Sequence, residues 1–316
     1  MEFSAIRAGS KPQLGLCARF ARAIRQHWVV YLMFLPVLLY YLLFNYVPMF
    51  GIVIGFQDFK ITRGFFGSEW VGLKNFMSFF NSMYAWRCIR NTLSISFLTL
   101  IFGFPAPIIL ALLMNEVKNK YFLKTVQTVT YIPHFISMVV MCSIILSFVS
   151  NNGIINECLR ALGLGTMDFN NDPNYFYPVY IISDIWQGVG WGSIIYLAAL
   201  AGVDPTLYEA ATIDGAGRWR KLWHVSIPCI MPTIAILLIM QIGSIMQVGS
   251  EKILLLYNPA TYEKADVIST FIFRRGLTDA KYGLTTAVGL FESLINLILL
   301  ITADRVAKLV GQRGLF

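Results

Sequence analysis

The sequence predicts an all-α membrane protein, a polytopic bundle of six transmembrane helices with a cytoplasmic loop that carries a short helix. Three observations favour this fold class. Of the 316 residues, 57% are hydrophobic and only 13% are charged, whereas a soluble domain carries about 25% charged residues. Apolar runs of roughly 20 residues, the length that crosses a bilayer as a helix, recur along the chain. The formal net charge of +8 is typical of the basic cytoplasmic loops of membrane proteins.

Six hydrophobic segments follow one another along the chain. The first begins at Trp28 after a basic tail, and we interpret it as an uncleaved anchor because its apolar run exceeds the roughly 7–15 residues of a signal-peptide core. No internal repeat or long linker is found, so we expect one transmembrane domain (28–303) between an N-terminal tail (1–27) and a C-terminal tail (304–316). The six predicted spans are 28–56, 92–114, 126–149, 177–200, 226–247 and 283–303.

The Lys and Arg residues predict the orientation of the bundle. With the N-terminus inside, more than half of the 25 basic residues fall in the segments that face the cytoplasm. Because such a bias is typical of cytoplasmic loops, we expect both termini in the cytoplasm. The loops at about 57–90 and 248–282 then face outward, and we expect them to be partly helical at the membrane interface.

Composition and residue spacing argue against several kinds of site. The five cysteines occur singly, without a CxxC pair, and the three histidines are too far apart for metal-ligand spacing. No GxxxxGK[ST] motif is present, so we expect no nucleotide site on this chain. No nucleic-acid-binding module is found. We therefore expect no metal and no cofactor bound by this chain.

The segment EAATIDGAGRWRKLWHVSIPCIMP (209–232) is unusually charged for this chain and lies between the fourth and fifth spans. Asp204 is suited to cap a helix that begins at Pro205, because the missing N–H of proline would have no partner there anyway. Alternatively, Thr206 and Glu209 form a capping box. Either way, the pattern predicts a short helix on the cytoplasmic side.

This predicted helix is about ten residues long, which is marginal in water unless another surface packs on it. Gly215 and Gly217 offer a left-handed stop at its end. Ala210 and Ala211 have small side chains that allow close approach, and Glu209 offers charge-assisted hydrogen bonds. Two interpretations remain open: a rigid knob for a cytosolic partner, or an interfacial hairpin that packs on its own spans.

The same residues resemble the EAA loop of ATP-binding-cassette (ABC) importer permeases. That pattern is Glu-Ala-Ala, two residues, Asp-Gly-Ala, a basic and aromatic stretch, and a proline at the start of the next span. Pro228 and Pro232 fit the proline position, while Leu222 and Val225 stand where the family more often has Phe and Ile. The resemblance implies a coupling helix that sits in a groove of a nucleotide-binding subunit. The residues with this implied role are Glu209, Ala210, Ala211, Asp214, Gly215, Ala216 and Gly217.

Further segments extend the resemblance. WVGLKNF (70–76) and DIWQGVGWGSIIYLAALAGVDPTLYEAA (184–211) are similar to the carbohydrate importers of the maltose-type class, and within it to the lipoprotein-and-polysaccharide-type permeases. The resemblance implies a non-catalytic subunit of a bacterial cytoplasmic membrane that forms the path of an oligosaccharide. It also implies the partners: a second, related permease in a heterodimer, two cytosolic ATPase subunits that use ATP and Mg, and an extracytoplasmic solute-binding protein.

Polar residues inside the predicted spans are candidates for the solute path. A carboxylate at membrane depth costs roughly 2.5–3.5 kcal/mol on insertion scales, so it is expected to face water or a partner. Trp rings stack on sugars and amides bond to hydroxyls, but the same side chains serve equally as interface anchors or as links between helices. Gly188 and Gly192 form a small-xxx-small face that favours close helix contact. The candidates are Asp184, Trp186, Gln187, Trp191, Gln241, Gln247, Glu292 and Asn296.

Two other functions compete with the importer subunit. An ion-coupled secondary transporter would use Asp184 and Glu292 as coupling sites, but it gives the 209–217 unit no role, and the chain shows no duplicated halves. A membrane enzyme is favoured least, because no cluster of nucleophile, base and orienting group is found.

Overall fold

The computed structural model describes residues 26–309, 311 and 314 of the chain. The predicted N-terminal tail therefore lies outside the described residues up to residue 25. The last residues of the predicted C-terminal tail also lie outside them, apart from the two positions named.

Almost all regular structure in the described part of the chain is helical. Its one small sheet pairs Gln57–Asp58 with Glu69–Trp70 in antiparallel register, Gln57 opposite Trp70. The α-helices are Trp28–Tyr41, Val47–Met49, Gly64–Gly67, Lys74–Phe80, Ala85–Leu98, Pro105–Asn115, Lys120–Tyr131, Met138–Phe148, Ile154–Ala161, Phe176–Ala201, Pro205–Ile213, Arg218–Lys221, Ile227–Gly243, Ser250–Leu256, Tyr262–Ala265, Ile268–Phe273 and Tyr282–Leu309. π-helical turns are Leu42–Tyr46, Thr99–Gly103, Leu222–Ser226 and Arg274–Thr278, and 3₁₀ turns are Phe50–Phe56, Ile132–Phe135 and Pro173–Tyr175.

Four helical stretches are long and apolar enough to cross a membrane, and two bent helix pairs raise the number of spans to six if each pair counts as one. Span 4 is Pro173–Ala201, and the helix Pro205–Ile213, which we call the loop helix, turns away from it by 71°. Span 3 consists of Lys120–Phe135 and Met138–Phe148. The remaining spans are span 1 (Trp28–Phe56), span 2 (Ala85–Asn115), span 5 (Arg218–Gly243) and span 6 (Tyr282–Leu309).

The chain divides into two compact units, residues 1–53 and 54–316. In the described part of the first unit, consecutive helical segments run on from Trp28 with Pro36 inside the helix. The second unit contains spans 2 to 6 and the loop helix.

Span 3, predicted as one hydrophobic segment over 126–149, is broken in the middle. Its two helices meet at 105°. The cause is local: a 3₁₀ turn contains Pro133, which lacks an amide hydrogen, and Ile136 and Ser137 are in extended conformation. A hydropathy window does not register such a break, because the apolar composition continues through it.

Spans 2 and 5 begin earlier than predicted. Span 2 starts at Ala85. The prediction missed its first two turns because they contain Arg87 and Arg90, which lower the hydropathy although the turns are helical. Span 5 starts at Arg218, so the basic stretch after Gly217 continues into the span through a π-helical turn. The two segments predicted to face outward contain several short helices, as the sequence predicts.

The core of the second unit forms where spans 2, 4, 5 and 6 pack together with the short helices of the 248–282 segment. Two glycines of span 4 bring neighbouring helices close: a side chain at Gly190 would collide with the backbone of Thr130, and one at Gly192 would crowd Pro107. Representative buried residues are Ile95, Met141, Phe176, Tyr180 and Ile253 in one cluster, Phe79, Cys88, Met246 and Phe271 in a second, and Ala111, Tyr196, Leu200 and Ile230 in a third.

The alternation of spans decides which segments share an end of the bundle. With spans 1 to 6 as defined above, the segments 57–84, 150–172 and 244–281 lie at one end. The loop helix at 205–213 lies at the opposite end.

Candidate functional site

The loop helix is built by local capping. Asp204 is its N-cap, and the Asp204 carboxylate accepts a hydrogen bond from the backbone N–H of Thr206 at 2.9 Å. Pro205 takes the first helical position. The cap that forms is therefore the first of the two predicted alternatives.

A glycine ends the loop helix. Gly215 has φ +72°, the left-handed conformation that a residue with a side chain rarely adopts, and the Gly215 N–H donates to the carbonyl of Thr212. Gly217 is extended instead and caps the next helix, so only one of the two predicted stop glycines acts as one. The Ala216 N–H donates to the Ala211 carbonyl at 2.8 Å and closes the turn.

Two side-chain contacts brace the loop helix against the start of span 5. The Lys221 ammonium donates to the Thr212 hydroxyl at 2.7 Å. The hydroxyls of Tyr208 and Ser226 lie 3.0 Å apart, and Ser226 is buried. The loop helix is thus held at a fixed angle to the bundle from one side.

The other side of the loop helix is uncovered. None of its residues is buried, and Ile213 is 87% exposed. Glu209 and Asp214 are also exposed. The two exposed acids can make charge-assisted hydrogen bonds to a partner on this uncovered side, which favours the knob over a hairpin packed on its own spans.

A groove between spans 2, 4 and 5 is the second candidate feature. It has two lobes, of about 450 Å³ and 200 Å³, which share Asp184 and Gln241 as well as Thr99 and Ser244. Gln247 lines the smaller lobe, and Gly188 lines the larger one, where a side-chain Cβ at this position would meet no other atom within 4 Å. Three of the predicted path residues, Asp184, Gln241 and Gln247, therefore meet at one groove.

Asp184 is held in the groove by an ion pair. The Lys252 ammonium lies 3.1 Å from the Asp184 carboxylate and also donates to the carbonyl of Tyr180 at 3.2 Å. The Lys252 side chain is 2% exposed and that of Asp184 is 40% exposed. Burial lowers the pKa of Lys252, and the Asp184 carboxylate opposes that shift.

The other predicted path residues lie elsewhere. Trp191 stacks on His134 with ring centroids 4.5 Å apart, and Trp186 lines a separate apolar pocket. Gln187 is half-buried and lines neither lobe of the groove. Glu292 and Asn296 are buried one turn apart on span 6, where the Asn296 side-chain oxygen accepts from the Met246 N–H at 3.0 Å.

Two polar features escape sequence reasoning. Lys252 follows span 5 and begins an apolar stretch, KILLLY. A lysine beside such a stretch is the one sequence signal that Lys252 has an acidic partner. Asp266 is fully buried between Arg87 and Arg274, with N–O distances of 2.6 and 2.8 Å. Arg274 is eight residues from Asp266, but Arg87 is 179 residues away, so no local pattern predicts the whole cluster. Among the described residues, no group of three metal-ligating side chains is found.

Comparisons with known proteins agree with this architecture. The family described as "Binding-protein-dependent transport system inner membrane component" matches residues 103–313. Protein LplB of Bacillus subtilis (strain 168) is 43% identical over 293 residues, which cover 92% of each chain. The polygalacturonan/rhamnogalacturonan transport system permease protein YteP of the same organism is 45% identical over 294 residues, 92% of this chain and 91% of YteP.

A solved structure is similar along nearly the whole chain. A chain in the crystal structure of a bacterial alginate ABC transporter, in complex with an alginate pentasaccharide-bound periplasmic protein, superposes with a TM-score of 0.87. It is 42% identical, and the match covers 94% of this chain and 100% of that one.

The family match decides against the ion-coupled secondary transporter. It covers spans 3 to 6 and the loop helix. The chain therefore belongs to the binding-protein-dependent transport system inner membrane components, and it is a non-catalytic permease subunit of an ABC importer of the carbohydrate-uptake class.

Proposed function

We propose that this permease imports an oligosaccharide built from uronic acids. The relatives support this substrate class, because polygalacturonan and alginate are both chains of carboxylated sugars. The groove of spans 2, 4 and 5 is the proposed path. Its amides and hydroxyls offer donors and acceptors for sugar hydroxyls, and the pairing of Asp184 with Lys252 offsets the one negative charge that would repel such a solute.

In this proposal, the loop helix transmits the motion of an ATPase subunit to this chain. Glu209, Ala210, Ala211, Asp214, Gly215, Ala216 and Gly217 form the surface that a cytosolic ATPase subunit receives. The observation that carries this is a helix between two spans with none of its residues buried, braced on one side only. Since the cap, the stop and the brace fix its angle, motion of the ATPase passes to span 4 and span 5 together.

The proposed assembly contains four kinds of subunit. This chain pairs with a second, related permease, and two ATPase subunits that bind ATP and Mg sit on the cytoplasmic side. An extracytoplasmic binding protein delivers the solute at the end of the bundle opposite the loop helix. Selection of the sugar is then shared between that protein and the groove.

The test is co-expression with the products of neighbouring genes, followed by purification through this chain. We expect an ATPase to co-purify, and ATP-dependent uptake of trigalacturonate by cells. Glu209→Lys reverses a charge on the proposed contact surface, so it is expected to abolish both co-purification and uptake. Glu116→Lys is the matched control, because Glu116 is exposed in the loop between spans 2 and 3, at the same end of the bundle.

Gly215→Pro gives a second variant, since proline does not adopt the φ of +72° found there. It is expected to have the same effect through the shape of the loop instead of its charge. Retention of the ATPase and of uptake in Glu209→Lys would rule out the loop helix as the coupling element. ATP-dependent uptake of a neutral trisaccharide but not of trigalacturonate would refute the substrate class alone.

A further inference from the structure

A second cavity, of about 470 Å³, lies at the end of the bundle opposite the loop helix. Its volume falls within the roughly 300–1,000 Å³ of ligand pockets. It is separate from the loop helix and from the groove between spans 2, 4 and 5. Its wall combines three guanidinium groups with three aromatic rings: Tyr84, Arg87, Tyr262, Phe271, Arg274 and Arg275.

The charges around this arginine pocket do not cancel. Arg87 and Arg274 share the single buried carboxylate of Asp266. Arg275 pairs with Asp279 through an N–O distance of 2.6 Å at the pocket surface. Three cations therefore face two carboxylates, which leaves one positive charge in excess.

The guanidinium groups also have donors to spare. Arg87 Nε and Arg274 Nη1 are buried and have no hydrogen-bond acceptor among the residues that the structure describes. Arginine carries five N–H groups in a planar fork that matches the two oxygens of a carboxylate. One terminal nitrogen of each arginine already binds an aspartate, so the pocket offers a carboxylate ligand its excess positive charge and single N–H donors.

The aromatic rings fix the guanidinium groups in place. Arg87 and Arg275 lie 5.3 and 5.4 Å from the ring centre of Tyr84, and Arg274 lies 5.2 Å from that of Tyr262. Cations at this distance from a ring face are attracted to it.

We propose that this arginine pocket binds the carboxylate of a uronic acid unit as the oligosaccharide enters the permease. The inference rests on the proposed function, which places solute entry at this end of the bundle. The arginine pocket would bind the acidic sugar before it reaches the groove. The groove itself is lined by an acid, Asp184.

The experiment measures binding of trigalacturonate to the assembled transporter in lipid nanodiscs, without the binding protein, by isothermal titration calorimetry. The matched neutral probe is the trimethyl ester of the same trisaccharide. We expect the free acid to bind about tenfold more tightly than the ester, the effect of one charge-assisted contact. Ester binding is expected to be the same in every variant.

Three variants separate the pocket from general charge effects. Arg275→Gln removes a guanidinium at the pocket surface while the buried cluster of Asp266 stays intact, and it should weaken acid binding about tenfold. Asp279→Asn frees Arg275 from its partner and should tighten acid binding. Lys281→Gln makes the same charge change at an exposed residue that does not line the pocket, and it should change nothing.

Equal binding of acid and ester to the wild-type transporter, or no measurable binding of either, would overturn the proposal. So would unchanged acid binding in Arg275→Gln. If that variant instead lowers only the affinity for the substrate-free binding protein, the pocket receives a protein carboxylate and the proposal is wrong. ATP-dependent uptake of trigalacturonate is measured on the same variants, so a failed pocket with intact uptake leaves the proposed function standing.

Discussion

The ion pair of Asp184 and Lys252 is asymmetric, and the asymmetry decides what each residue contributes. Lys252 is buried and depends on Asp184 and on the Tyr180 carbonyl for its stabilisation. Asp184 is partly exposed to the groove and keeps some contact with solvent or solute. Removing one partner of a buried pair leaves the other uncompensated, and the penalty is larger when the partner that remains is the buried one.

Asp184→Asn is therefore expected to destabilise the protein more than Lys252→Met. The first leaves a buried ammonium without its counter-charge and should lower the free energy of unfolding by about 2 kcal/mol. This loss is smaller than for a fully buried pair, because Asp184 is partly solvated. The second replaces the lysine by an apolar side chain of similar length and should cost less. Thermal unfolding of the purified protein in detergent measures both.

The double variant Asp184→Asn, Lys252→Met tests the coupling. It should be more stable than Asp184→Asn alone, because the unpaired ammonium is gone. Lys281→Met is the control for loss of an exposed lysine. A Lys252→Met protein that is less stable than Asp184→Asn would contradict the assignment of Lys252 as the dependent partner.

At the scale of elements, the loop helix shows how a short helix is kept in place without burial. A helix of this length gains little from propensity alone. Here the Asp204 cap, the left-handed Gly215 and the Lys221–Thr212 contact supply the order that a buried face would otherwise give. The exposed face is thereby left free for a partner.

The cap predicts a specific pH dependence. Hydrogen bonds from Thr206 to the Asp204 carboxylate hold the pKa of that carboxyl below its ordinary value of 3.8. A lowered folded-state pKa means that the cap stabilises the helix above pH 3.8 and is lost as the pH falls through the folded-state pKa. Amide hydrogen exchange over 205–213 is expected to speed up, relative to span 4, as the pH falls below 3.8 and through the folded-state pKa of Asp204.

Substitution at the same residue separates the cap from the charge. Asp204→Ala removes the acceptor and should speed exchange over 205–213 at neutral pH. Asp204→Asn keeps an oxygen acceptor, so it should retain most of the protection but lose the pH dependence. Equal exchange in the wild type and Asp204→Ala would show that the Lys221 and Tyr208 contacts hold the helix without its cap.

For the whole molecule, orientation is the property with the most direct test. The positive-inside bias predicts the loop helix in the cytoplasm, and the alternation of spans then places 57–84 outside. Two exposed positions report on the two ends: Ile213 on the loop helix and Phe66 in the outward loop.

Single cysteines at these positions, in a chain whose own cysteines are replaced, are expected to react differently with a membrane-impermeant maleimide. Phe66→Cys should be labelled in intact cells. Ile213→Cys should be labelled only after the membrane is permeabilised. The reverse pattern would refute the orientation and, with it, contact between the loop helix and a cytosolic ATPase.

The sequence by itself determined the helical membrane fold, the order of the spans and the presence of the loop helix, and it limited the cap and the stop to two candidates each. Hydropathy, capping and a left-handed glycine are properties of neighbouring residues, so they are legible in a short window. The break in span 3 escaped, because its apolar composition continues through the turn at Pro133.

Only the tertiary structure decided which polar residues share a groove. It brought Asp184, Gln241 and Gln247 together and left Trp186 and Trp191 apart. It also paired Lys252 with Asp184 of span 4. It assembled the arginine pocket from residues 84–87 and 262–279, which are far apart in sequence. Such contacts depend on how distant segments pack against one another, and no local periodicity encodes that.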